Sequence, residues 1–205
     1  MSTSRIRTLT LAALAAFTLA ACGDDDSSGP KLPAQGNARL TLTAEGQDTT
    51  VDVDAYFGRD WDESEENRVF AIAIGAESEN LTIVMARPDT TQPGVGNLTV
   101  ADLTGETEVP DDELQVALVM ADETTLGMFV GKSGTVRVTR SSAQALAGTI
   151  DLVVEGLVWI DGSDVPTEIT MDVTGAFNAT PAPVGATASS ALRARVSDLR
   201  VRSIR

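Results

Sequence analysis

The chain has 205 residues, 30 of them acidic and 15 basic, for a formal net charge of −15, and it contains one cysteine and no histidine. A chain this acidic repels phosphate backbones, which excludes a nucleic-acid partner. The missing side chains exclude Ser/His/Asp and Cys/His triads, zinc sites with nitrogen or sulfur ligands, haem ligation by histidine or thiolate, and an internal disulfide.

At the N-terminus, Arg5 and Arg7 precede an apolar run over residues 9–17, the charge-then-apolar order of a secretory signal peptide. The run is too short to span a bilayer, which takes about 20 apolar residues. It closes on Leu19-Ala20-Ala21-Cys22, and these four residues resemble the lipobox of bacterial lipoproteins, with the chain's only cysteine at the position the motif requires. The resemblance implies that residues 1–21 are cut away as a lipoprotein signal peptide. It further implies that the Cys22 sulfur takes a diacylglycerol, and that acylation of the new amine completes a fatty-acyl (palmitate-type) anchor. Each buried CH₂ contributes about 0.8 kcal/mol, so two or more chains hold a protein on a membrane where one binds only marginally. Removal of Arg5 and Arg7 leaves 13 basic against 30 acidic residues.

Residues 22–36, with Asp24, Asp25 and Asp26 near their start, read as a flexible tether. Gly23 stands where an aspartate retains some lipoproteins at the inner membrane, so the resemblance places the protein in the cell envelope, on the outer membrane facing the periplasm. An acidic run behind the cysteine also resembles the surface-export signal of some outer-membrane lipoproteins, which keeps surface exposure open.

From Asn37 the apolar residues alternate with polar ones, the period of strands with one buried and one wet face. Leu40 and Leu42, then Val51, Val53 and Phe57, predict a hairpin about a turn at Glu45-Gly46. Residues 69–74 (VFAIAI) are apolar on both faces, as in a central strand, and Leu81, Ile83 and Met85 alternate again. After a Pro/Gly/Thr-rich loop and a short apolar patch over residues 98–103, Leu114, Val116, Leu118 and Met120 open a second half. Gly131-Lys132-Ser133-Gly134 separates Leu126, Met128 and Val130 from Val136 and Val138. Residues 141–146 are the best helical candidate between 37 and 180. Gly156, inside a strand pattern, predicts a bulge, and Ile169, Met171, Val173 and Phe177 form the clearest strand.

The spacing predicts an all-β fold, a single antiparallel β-sandwich or barrel-like domain of nine to ten strands over residues 37–180, followed by a basic tail over 181–205. Aromatic girdles of an outer-membrane barrel are missing from these strands. The hairpin Gly134-Thr135-Val136-Arg137-Val138-Thr139, the return Ala147-Gly148-Thr149-Ile150 and Val173-Thr174-Gly175-Ala176-Phe177 resemble a group of small, largely uncharacterised bacterial lipoproteins with a β-sandwich-like domain, which supports the same fold and location.

Candidate site residues are acidic or aromatic. Asp60, Asp62, Glu63, Glu65 and Glu66 crowd five carboxylates around Trp61, and hard cations such as Ca²⁺ take six to eight oxygen ligands. Asp60, Asp62 and Ser64 suit the early positions of a calcium loop, but Glu65 stands where its glycine belongs, and a solvated acidic loop is the competing reading. Asp111, Asp112 and Glu113 form a second acidic loop. Trp61, Tyr56 and Trp159 offer rings for stacking on a sugar, against a core role. In the tail, Arg193, Arg195, Arg200, Arg202 and Arg205 stand against only Asp198. Two readings stay open: a short helix with Leu192, Val196 and Leu199 on one side, packing on the acidic body or touching anionic lipid headgroups, and a frayed, disordered tail after Pro181 and Pro183. The expectation is a non-catalytic, lipid-anchored binding or scaffolding protein with an envelope protein or glycan as partner. A carbohydrate-active enzyme built on a carboxylate pair and a Ca²⁺-stabilised binding module are the alternatives.

Overall fold

Alternation becomes strand where the two faces of the chain meet different surroundings, and nine strands form. They are β1 (Asn37–Ala44), β2 (Gln47–Arg59), β3 (Phe70–Ala76), β4 (Leu81–Arg87), β5 (Gly96–Thr99), β6 (Gln115–Ala121), β7 (Thr125–Ser142), β8 (Ala145–Ile160) and β9 (Thr167–Pro181). They belong to a computed structural model that describes residues 31–59, 69–76, 80–87, 91–105, 112–163 and 165–182, and among these residues there is no helix. The architecture is therefore all-β, as the sequence predicts, and of the two all-β forms it is the barrel.

Eight strands close in the order β1, β2, β3, β4, β6, β7, β8, β9 and back to β1, every neighbour antiparallel. The closing ladder runs from Asn37 opposite Asn178 to Ala44 opposite Met171 without a break. β5 is the extra strand. It continues the edge of β7 where β6 has ended: residues 126–130 of β7 pair with β6, and Thr135 to Val138 pair with β5. Between them the chain after β5 fills in, with Val100 N–H donating to Gly134 O (3.1 Å) and Leu103 N–H to Gly131 O (2.8 Å).

The inward residues form one core. Leu40, Ile72, Ile74, Ile83, Met85, Leu118, Phe129, Leu152 and Phe177 are all sealed from solvent. Outward positions around the β1 seam are largely threonine and charge: Thr41 meets Thr50 (3.2 Å), Thr43 donates to Asp48 (2.8 Å), and Arg39 lies 3.8 Å from Asp52. The β1–β2 turn needs two residues with positive φ, supplied by Glu45 (52°) and Gly46 (76°), the geometry that matches the strand twist of a tight hairpin.

Three expectations change. Residues 131–134 do not separate two strands. β7 is one strand of 18 residues that bends at two bulges, where the register slips between Gly131 and Ser133 and between Val138 and Arg140. Gly156 is not a bulge: it stays in register opposite Phe129, and a Cβ there would lie 2.0 Å from the Met128 carbonyl oxygen, so close backbone approach is what selects glycine. Ser141 and Leu146, the ends of the helical candidate, face each other across the β7–β8 turn, where Ser142 Oγ accepts the Ala145 N–H (3.1 Å).

Both ends of the described chain meet at one end of the barrel. Gly36 N–H donates to Asn178 O (2.6 Å), Ala55 N–H to Gly36 O (2.7 Å), and Asn178 Nδ2 to Pro33 O (3.1 Å). β9 runs past the start of β1 and pairs in parallel with β2, Thr180 beside Tyr56, before Ala182 N–H donates to Phe57 O (2.8 Å).

Gly175 sits in the closing ladder opposite Leu40, and a Cβ on it would lie 2.2 Å from Arg39 O. Gly175→Ala is expected to cost about 3 kcal/mol or more in urea unfolding. Gly46→Ala, at a turn with no atom within 4 Å of the new methyl, should cost about 1 kcal/mol. Equal costs would contradict the closure.

Candidate functional site

Cys22 and the loop residues Asp60, Trp61, Asp62, Glu63, Glu65 and Glu66 lie outside the described residues, as does Asp111. The strands that the 60–66 loop joins, β2 and β3, end and begin at the end of the barrel where the chain enters and leaves. Asp112 is exposed and Glu113 half-buried just before Leu114, which seals the core. Among the described residues no group of three or more metal-ligating side chains is placed to hold an ion. Tyr56 and Trp159 are not core residues: both stand half-buried on outward positions, Tyr56 beside Ala73 and Trp159 opposite Leu126. The Tyr56 hydroxyl donates to Asp54 Oδ2 (3.3 Å).

Two features of the outer wall stand out. The first is ionic. Lys132 is the residue left unpaired by the bulge between Gly131 and Ser133, which swings its side chain onto Glu155 of β8 in a short ion pair. The hydrogen bond from the Lys132 ammonium lowers the Glu155 carboxyl below its ordinary range, with Glu168 contributing next, and Glu155 in turn raises Lys132. Asp102 faces the same ammonium. Its carboxyl is lowered first by the Thr104 hydroxyl (2.5 Å) and then by the Thr104 N–H (2.8 Å). One cation therefore sits among three carboxylates on an exposed surface. A glycoside-cleaving acid must hold a proton at neutral pH, its pKa pushed up. Glu155 is pushed the other way, and Lys132 offsets only one of the three carboxylates, so the cluster is a net-negative patch.

The second feature is apolar. Tracing hydrogen-bonded neighbours outward from β2, Tyr56 stands beside Ala73, Ala73 beside Val84, Val84 beside Ala117, and Ala117 beside Val130. All five point away from the core, because Phe57, Ile72, Ile83, Leu118 and Phe129 beside them in sequence point in. A flanking row adds Gly58, Ala71 and Ala86, and on the other side Val119, Met128 and Leu157 continue to Leu126 and Trp159. Although outward, Ala71, Ala73 and Val84 are only 1%, 8% and 8% exposed. The wall thus has a wet side of threonine and aspartate around β1 and β9, and an apolar side across β3, β4, β6 and β7.

The sequence reading places VFAIAI on a strand buried on both faces, and the burial of residues 70–74 agrees. It does not see that Ala71 and Ala73 belong to outward rows. The Lys132–Glu155 pair also escapes it, because 23 residues separate the partners and only the β7–β8 register, together with a bulge, brings them together. The available signal was the hairpin itself, which sets Val130 opposite Glu155. No family model matches the chain, and neither the curated proteins nor the solved structures contain a match.

If the ammonium is what lowers Glu155, then Lys132→Ala should return the Glu155 carboxyl toward its ordinary value in a carbon-detected NMR titration. The Asp102 carboxyl should move far less, since Thr104 holds it. An unmoved Glu155 would contradict the pairing. The sign follows: a depressed folded pKa stabilises the native state above the unfolded carboxylate range, and that contribution is lost as the pH falls through the folded value.

Proposed function

We propose that this is a lipid-anchored protein of the cell envelope, held by Cys22 on the outer membrane and facing the periplasm, whose barrel binds or scaffolds without catalysis. The observation that carries the reading is Leu19-Ala20-Ala21-Cys22, with the only cysteine of 205 residues at the acylation position. The geometry is compatible with such an anchor. Ten residues separate Cys22 from Pro33, where the chain is bonded onto the barrel, a span of at most about 40 Å when extended. The barrel's inward positions are taken by its own side chains, so a partner is received on the outer wall.

Cys22→Ala tests the anchor. The parent chain should incorporate labelled palmitate and fractionate with membranes, and the variant should lose the label and accumulate as uncut precursor. A variant that reaches the membrane as mature, processed protein would overturn the assignment.

A further inference from the structure

The apolar side of the wall begins where the chain leaves the barrel. Thr180 lies beside Tyr56, the first residue of the outward row, and Ala182 is bonded to Phe57. From there 23 residues remain, 183–205. The row crosses from β2 over β3, β4 and β6 to β7 and reaches Glu155 on β8. At about 4.8 Å between neighbouring strands its five steps span roughly 24 Å. Residues 191–205 as a helix are about 22 Å long at 1.5 Å per residue, and residues 183–190 suffice to turn the chain back onto the row.

Chemistry matches as well as length. Leu192, Val196 and Leu199 recur at the spacing of one helical face, and the other positions include five arginines against one aspartate. Around Val84 the outward positions carry the small residues Gly58, Ala71, Ala73, Ala86 and Ala117, with the larger Tyr56, Val119 and Met128 beside them. At the far end of the row, Lys132 neutralises only one of the three carboxylates Glu155, Glu168 and Asp102, leaving negative charge where the arginine-rich end arrives. We infer that residues 183–205 fold back across the barrel as an amphipathic strap, seating Leu192, Val196 and Leu199 on the row from Tyr56 to Val130 and bringing arginines to the Glu155–Glu168 patch.

Limited trypsin digestion of the full-length chain in a non-ionic detergent, read by mass spectrometry, tests this, because trypsin cuts after Arg193, Arg195, Arg200 and Arg202. Docking should slow cleavage at these sites about tenfold or more relative to Val84→Asp, which places a charge in the middle of the outward row, since a docked segment is cut only from its open state. Circular dichroism identifies a variant that has failed to fold. In that event Leu199→Asp, which lies in the tail itself, serves in its place and should give the same acceleration. Half-molar NaCl should also speed cleavage in the parent, through the arginines. Three results would overturn the inference: rapid cleavage in the parent, protection that rises with protein concentration and so reports a second copy, or protection that appears only when phosphatidylglycerol vesicles are added.

Discussion

The ladder between β1 and β9 is the constraint on which the rest depends. It joins the first and last strands of the domain over eight residue pairs, each separated by more than 120 residues of sequence. Closure removes the two long edges that an open eight-stranded sheet would present to other chains, leaving the four-residue β5 as an outer strand. It also seals the interior, so Leu40, Phe177 and Val173 lie with Ile72, Ile83 and Leu118 in one core. With no disulfide available to a chain of one cysteine, this core and the ladder carry the stability together. Among the antiparallel ladders, this one closes the longest stretch of chain and so carries the largest loop-closure entropy.

Closure sets the position of everything outside the barrel. Because β9 overshoots β1 and lies beside β2, the chain enters through residues 33–36 and leaves at Ala182 within a few hydrogen bonds of the same spot. The two ends of the described chain are thereby brought to one end of the barrel. The opposite end is finished by tight turns, such as Asp122, whose carboxylate accepts the N–H groups of Thr124 and Thr125 at 2.7 Å each. Around the circumference the wall changes character, from threonine and aspartate at the seam to alanine, valine and methionine across β3, β4, β6 and β7.

How much of this the sequence displayed follows from what alternation measures. The period of two assigns faces, and it placed Leu114, Val116 and Leu118, or Met171 and Val173, on the inside correctly. It carries no information on which strand is the neighbour, so neither the closing ladder nor the choice of barrel over sandwich was legible. Glycine was misleading in both directions. Residues 131–134 look like a turn but let an 18-residue strand bend at a bulge, and Gly156 looks like a bulge but marks a close backbone approach. The apolar outward row was hidden for a related reason. Alanines at 71, 73, 86 and 117 read as ordinary small residues until the register sets them side by side.

Amide hydrogen exchange under native conditions tests the central claim most directly, by comparing the seam with the middle of the sheet. If closure makes the barrel one cooperative unit, Leu42 and Val173 at the β1–β9 seam should open with the same free energy as Ile83 and Leu118 on β4 and β6, and Gly175→Ala should lower all four together. Seam amides that exchange through a separate, lower-energy opening while Ile83 and Leu118 stay protected would show an open sheet whose first and last strands only rest against each other, and would contradict the account.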